Sequence, residues 1–211
     1  MNVIIFGASG GIGKWAVKHA LEKGYNVTAY VRNPQKLTMQ DEKLRVIKGQ
    51  ISDYDAMLSA MQGQDAVIWC VGIPMNNING KMESLEGHQN LLKAMQEAGV
   101  KRLIDWGTPT VHFSGDTKSF VTVVPGIMAG FPFKNTKKEM VAVGDLLKAS
   151  DLDWTLVRFM APQNSAYTGK VKVGFGDIKM KFAISREDIG AFMVEQIESK
   201  KYIKSMPIIG T

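Results

Sequence analysis

The chain has a single cysteine, Cys70, so it can close no internal disulfide. It has only three histidines, and no His/Cys cluster with metal-ligand spacing appears in it. No apolar run approaches the ~20 residues that a membrane-crossing helix requires. The N-terminus begins on an apolar strand pattern instead of a charged stretch followed by a cleavable apolar one, so no signal peptide is expected. The expected compartment is the cytoplasm. Concentrated basic charge is also missing. The net charge is +6, but the Lys and Arg residues are scattered, with short local runs only at Lys134–Lys138 and Lys200–Lys204. Nucleic-acid binding therefore stays a minor alternative. Repeats, low-complexity segments and linkers are absent too, and 211 residues suit one domain over 1–211.

What is present is concentrated at the start. Val3 to Phe6 is a short apolar run of the kind buried in a parallel sheet. Gly7, Gly10 and Gly13 follow it, and a helical pattern runs from Lys14 to Lys23. A second β-rich run, Asn26 to Val31, ends at Arg32. Strand, glycine-rich turn, helix and strand make a βαβ unit suited to a dinucleotide. Gly7 permits the sharp turn, Gly10 lets the backbone approach a pyrophosphate, and Gly13 brings the helix close to the sheet. The anion would meet unpaired N–H groups at the helix start, so Ser9, Gly11 and Ile12 join the glycines as contact residues. The spacing is Gly-x-x-Gly-x-x-Gly, not the usual GxGxxG.

The end of the second strand bears on which dinucleotide. NAD enzymes usually place an acid there for the ribose 2′-hydroxyl. Here the sequence is Arg32-Asn33-Pro34-Gln35-Lys36, with no acid. Arg32 offers a planar charged fork for a 2′-phosphate, with Asn33 beside it, and Lys36 adds a second cation if Pro34 opens a short helix. The expected cofactor is NADP(H); the alternative is that Arg32 is a solvated loop residue.

GASGGIG, YVRNPQKL, GVKRLIDWG and SDLDWTLVR together resemble the atypical short-chain dehydrogenases. The resemblance is to the NmrA-like and biliverdin-reductase-B-like NAD(P)H-binding group, which includes NADH-flavin reductases, and it spans nearly the whole chain. It implies a single-domain α/β Rossmann fold, doubly wound, with a mostly parallel sheet in the order 3-2-1-4-5-6 and a small substrate-side elaboration near the C-terminus. Relatives carry Gly-Asp after the third strand, where the acid contacts adenine. Gln50 stands there instead, followed by Ile51; Gln50 either accepts the same hydrogen bond or is a solvated turn residue. A Ser or Thr just past the fifth strand can bind a substrate carbonyl in the wider superfamily, which makes Thr108 a candidate.

The remaining pattern completes such a sheet. Leu44–Ile47, Asp65–Cys70, Arg102–Trp106 and Trp154–Arg158 read as further strands. Helices are expected over 54–61, capped by Asp53, over 82–98 with Gly99 as its stop, and over 135–149. In the second of these, Met82, Leu85, Leu92, Met95 and Ala98 form the expected buried face, and His88 is structural. Cys70, Val71 and Gly72 should border the pyrophosphate and nicotinamide ribose, at the carboxyl end of the fourth strand. Cys70 reads as a small buried residue without redox chemistry. Arg158 reads as a structural residue, while Phe159 to Pro162 should pass the nicotinamide, with Met160 as a substrate contact. Residues 111–134 are irregular, and serve either as a substrate loop walled by Phe113, Phe120, Met128 and Phe131 or as a dimerisation surface. Residues 171–175 and 180–184 suggest a small hairpin. Ser185 caps a helix over 186–198 with Ile189, Phe192, Met193 and Ile197 buried, and 207–209 suggests an edge strand.

Short-chain dehydrogenases use Tyr-x-x-x-Lys to protonate a carbonyl. No tyrosine here has a lysine four residues on, and counting back from DWTLVR puts Thr136 and Met140 at those positions. That disfavours epimerase and alcohol dehydrogenase chemistry. It leaves reduction of a flavin or quinone, which solvent can protonate, or a non-catalytic NADP(H)-sensing role with a regulatory protein partner.

Overall fold

The computed structural model describes residues 1–74, 79–119, 122 and 133–211. Phe120, Met128 and Phe131 of the expected apolar wall lie outside these residues. Strands β1 (Asn2–Phe6), β2 (Asn26–Val31), β3 (Leu44–Lys48), β4 (Ala66–Trp69), β5 (Arg102–Gly107) and β6 (Asp153–Arg158) form a parallel sheet in the order β3-β2-β1-β4-β5-β6. The expected Rossmann order is present. Two later strands extend it: β10 (Ile208–Gly210) lies parallel to β6, and β8 (Lys172–Gly174) lies antiparallel to β10.

The helices coat both faces because alternate strand residues point to opposite sides. Val3 and Ile5 of β1 and Ile68 of β4 face a core that includes Ala16 and Val17 of α1 (Gly13–Glu22) and Ile189 and Met193 of α5 (Arg186–Glu195). Ile4, Phe6, Val67 and Trp69 face the other core, with Met57 and Met61 of α2 (Tyr54–Met61), Leu91 and Met95 of α3 (Glu83–Ala98) and Leu147 of α4 (Lys134–Lys148). Every residue of β4 is buried, as its unbroken apolar run demands.

The caps follow local chemistry. Asp53 accepts from the Ala56 N–H at 3.0 Å, and Gly99 closes α3 in the left-handed region at φ 72°. Ser185 accepts from the Glu187 N–H at 3.1 Å to start α5.

Three expectations need correction. The buried face of α3 is Ser84, Gly87, His88, Leu91, Ala94 and Met95, so of the five expected residues only Met95 is fully buried. Polar residues could take that face because they are satisfied there. The Ser84 N–H donates to Glu139 of α4 at 2.7 Å, and His88 Nε2 lies 2.9 Å from Asp105. Gly87 leaves room for Ile51, whose Cδ1 would be 2.8 Å from a Cβ there. Secondly, no hairpin joins 171–175 to 180–184. The first segment contributes β8, which pairs with β10, while Ile184–Ser185 (β9) pairs in parallel with Pro162–Gln163 (β7). Finally, β10 is not the edge strand, because β8 lies outside it.

Candidate functional site

The carboxyl ends of β1, β2 and β4 meet at the glycine turn. Gly7 donates to Tyr30 O of β2 at 3.1 Å, and Cys70 donates to Phe6 O of β1 at 2.9 Å. Gly7 has φ +70°, and a Cβ there would lie 2.8 Å from backbone atoms of Cys70 and Val71. A side chain is excluded twice, by conformation and by the neighbouring strand. At Gly13 a Cβ would lie 2.2 Å from Gly7 O and 2.9 Å from Ala8 Cα, so the first turn of α1 folds directly onto the glycine turn. Gly10 donates back to Gly7 O at 2.9 Å, tightening the loop.

This packing leaves donors open. Among the described residues the N–H groups of Gly11, Ile12 and Gly13 have no backbone acceptor, while Lys14 N–H is the first to bond, to Gly10 O at 3.1 Å. No side chain caps this helix start. Unpaired N–H groups at the positive end of a helix dipole, with no capping side chain bonded to them, form an anion cradle.

Beyond β2, Arg32 and Asn33 are exposed at the strand's carboxyl end. Asn33 accepts from Gln35 N–H at 3.1 Å, starting a short 3-10 turn over Pro34–Lys36 that brings Lys36 to the same exposed segment. Arg32 makes no hydrogen bond or ion pair among the described residues. Gln50 is exposed, and its backbone carbonyl accepts from Tyr30 OH at 3.2 Å, leaving its side chain outside that bond. Ile51 packs against Gly87, and its carbonyl accepts from Asn90 Nδ2 at 3.1 Å.

A cavity of about 320 Å³ opens beside the turn, lined by Gly10, Gly11, Ile12, Cys70, Gly72, Trp106, Phe159, Pro162, Arg186 and Met193. Trp106 donates from its indole N–H to Val71 O at 2.9 Å and stacks on Phe159 at 5.7 Å between ring centroids. The indole therefore fixes the loop after β4 and forms an apolar wall at once. Five of the fourteen residues expected to hold the dinucleotide line this cavity: Gly10, Gly11, Ile12, Cys70 and Gly72. Ser9 and Val71 sit in the loops that shape it.

The substrate candidates fall outside the cavity lining. Thr108 shares its hydroxyl with Thr110 at 2.7 Å and donates to Met140 Sδ at 3.0 Å. Met160 is half-buried next to Phe159. Thr136 donates to Pro74 O at 2.9 Å. Arg158 is wholly buried and structural: it donates to Met206 O at 2.8 Å, to Val111 O at 2.9 Å and, as a fork, to both carboxylate oxygens of Asp116. Arg186 joins the lining without a clear signal in the sequence. Its only local signal is a cation directly after a helix cap, where an acid is the usual choice.

Burial raises the pKa of the Cys70 thiol well above its ordinary value, with the Asp105 carboxylate adding to the effect. Iodoacetamide near neutral pH should therefore modify Cys70 many-fold more slowly in the folded chain than in the chain unfolded in urea. Labelling of the folded protein at the rate of a free thiol would contradict this environment.

The match to the NAD(P)H-binding family model covers residues 7–200, from the first glycine of the turn to just past α5. The chain belongs to that NAD(P)H-binding family. It sits within the atypical short-chain dehydrogenases, and the open N–H groups of the uncapped cradle fit the dinucleotide that defines the family. Cinnamoyl-CoA reductase 1 of Petunia hybrida is 32% identical over 111 residues, 48% of this chain and 33% of the relative. The photosystem II assembly factor Ycf39 of Synechocystis is 27% identical over 106 residues, 49% of this chain and 32% of the relative. The chain spans about a third of the length of these curated relatives. Among solved structures, a short-chain dehydrogenase/reductase from Veillonella parvula in complex with NADP superposes with a TM-score of 0.78, covering 100% of this chain and 94% of that one at 18% identity. That similarity is one of fold. Among the described residues no helix is long and apolar enough to cross a membrane.

Proposed function

We propose that the chain uses NADP(H) to reduce a flavin, a quinone or a similar planar acceptor, without a side-chain acid. One observation carries this reading. Among the described residues lining the cavity there is no tyrosine, histidine, lysine or carboxylate, and burial holds the Cys70 thiol above its ordinary pKa. The positions corresponding to the family's Tyr-Lys pair offer no substitute. The Thr136 hydroxyl is committed to a backbone carbonyl, and Met140 presents a thioether to Thr108. A carbonyl substrate needs a proton delivered as hydride arrives. A flavin or quinone accepts hydride at an electron-poor ring and can take its proton from water, so orientation against the nicotinamide is the main requirement. Trp106, Phe159 and Pro162 supply flat apolar walls for that purpose.

The bound dinucleotide supplies the hydride; the chain's residues hold and orient it. The α1 cradle takes the diphosphate, Arg32 with Asn33 and Lys36 takes the 2′-phosphate, Gln50 and Ile51 border the adenine, and Cys70 to Gly72 border the nicotinamide ribose. NADPH mixed with FMN, FAD and a series of quinones tests the reaction. Consumption of reduced nicotinamide supports it, and none with any acceptor overturns it. The cofactor preference has its own expected outcome: Arg32→Ala should weaken NADPH binding by about 1.5–3 kcal/mol and leave NADH unchanged, measured by titration. Equal losses for both would remove Arg32 from the 2′-phosphate.

A second reading, an NADP(H)-sensing protein that acts through a protein partner, draws support from the similarity to a photosystem assembly factor. It requires nucleotide affinity without turnover, so the same acceptor series separates the two.

A further inference from the structure

One cation in the cavity has no role so far. Arg186 is the first residue of α5, directly after the Ser185 cap. A positive charge there opposes the helix dipole, and the acids that suit this end, Glu187 and Asp188, point elsewhere. Glu187 pairs with Lys18 at 2.7 Å, and Asp188 accepts from the N–H groups of Thr168 at 3.1 Å and Gly169 at 2.8 Å. Arg186 instead lies over the glycine turn: a Cβ on Gly11 would be 3.0 Å from its Cδ and 3.1 Å from its Nε. The lack of a side chain at Gly11 is what makes room for it.

Helix packing brings the guanidinium there. A Cβ on Gly190 would lie 2.8 Å from Ala16 N, so α5 rests almost backbone to backbone on α1, just behind the cradle. Nη1 donates to Asn164 Oδ1 at 2.8 Å, which sets the orientation of the fork. Among the described residues Nε and Nη2 donate to nothing. Arg186 lines the cavity with one arm fixed and two donors unused, an arrangement suited to an acceptor with several oxygens.

We propose that Arg186 binds the diphosphate of the dinucleotide, closing from the α5 side the anion site whose other half is the α1 turn. This rests on the cofactor reading above. The turn's N–H groups hold one side of the bridge and the guanidinium the other, a two-sided grip that the helix start alone does not provide. The same grip reaches the substrate side. Asn164 follows β7, and Ser185 Oγ donates to Ser165 O at 3.2 Å, so the segment beside Pro162 hangs from the residues that meet the diphosphate.

Arg186→Met keeps the length of the stem and removes the charge. Titration of NADPH and NADH should show both weakened by a similar factor, roughly 10- to 100-fold. The preference between them should not change, whereas Arg32→Ala changes it. The salt dependence of binding should become shallower, because one charge facing the diphosphate is gone. Arg186→Lys should recover part of the affinity, and both variants should unfold at the wild-type temperature without nucleotide. Unchanged affinity in Arg186→Met overturns the proposal, and so does a loss with unaltered salt dependence or no recovery by lysine. Wild-type protein that binds neither dinucleotide would overturn the cofactor reading itself, and this proposal with it.

Discussion

Gly13→Ala should abolish dinucleotide binding and destabilise the fold by about 3 kcal/mol, at the upper end of the range for overpacking. The added Cβ would sit 2.2 Å from Gly7 O, with Ala8 Cα and Gly7 C both at 2.9 Å. These are backbone atoms, and no side-chain rotation relieves the overlap. Either α1 lifts from the turn or the turn leaves its place beside β4, where Cys70 donates to Phe6 O. Both movements disperse the N–H groups of Gly11, Ile12 and Gly13. Binding should therefore fall further than stability, because the helix can shift without unfolding. Denaturant unfolding and NADPH titration on the same sample check this. A variant with wild-type affinity would show that the cradle does not depend on this contact. Gly63→Ala serves as a contrast, since its left-handed φ of +71° costs only local strain and no atom lies within 4 Å of the added Cβ.

The second large effect concerns Arg158. Asp116→Ala should cost about 3–5 kcal/mol, the usual penalty for leaving a buried charge without its partner. Arg158 is fully buried, and its fork spends one contact on Val111 O and two on Asp116, at 2.7 and 2.5 Å. These bonds tie the end of β6 to the segment that follows β5. Asp116 also accepts from Phe113 N–H at 3.0 Å, and the next residue, Thr117, donates to Phe175 O at 2.8 Å. Losing the carboxylate therefore frees the segment that leads towards residues 120–132. Replacing both partners, Arg158→Met with Asp116→Leu, should restore much of the stability, because the stranded charge is gone. Urea midpoints for the single and double variants decide it, and a double variant no better than the single one would contradict the buried-charge account.

These two sites differ in how far they could be read from the chain. The glycine turn is local: strand, three glycines, helix and second strand lie within 31 residues, and β2 and α2 fall on the expected boundaries. The Asp53 and Ser185 caps were legible for the same reason, since a cap needs only its own next turn. Sequence pattern and structure diverge where distant partners decide. Residues 171–175 have strand character, yet β8 pairs with β10, 34 residues on, instead of with the nearby 180–184. The α3 face was misassigned because apolar spacing favoured Leu85 and Leu92, whereas His88 is buried by virtue of Asp105 on another element. Arg158 could be read as structural, but its carboxylate partner could not. Nothing in SREDIG says that α5 lies close enough to α1 for Arg186 to reach Gly11. Proximity across 175 residues of sequence is a property of packing, not of pattern.

What we propose is hydride delivery from NADP(H) in a cavity whose described lining residues include no side-chain acid. Its most direct measurement is the initial rate of NADPH consumption with matched quinone and carbonyl acceptors, followed between about pH 6 and 9. The account predicts turnover with quinones or flavins, none with aldehydes or ketones, and a rate on which no side-chain acid imposes a titration limb. Carbonyl turnover whose rate falls away as a tyrosine-like acid ionises would contradict it.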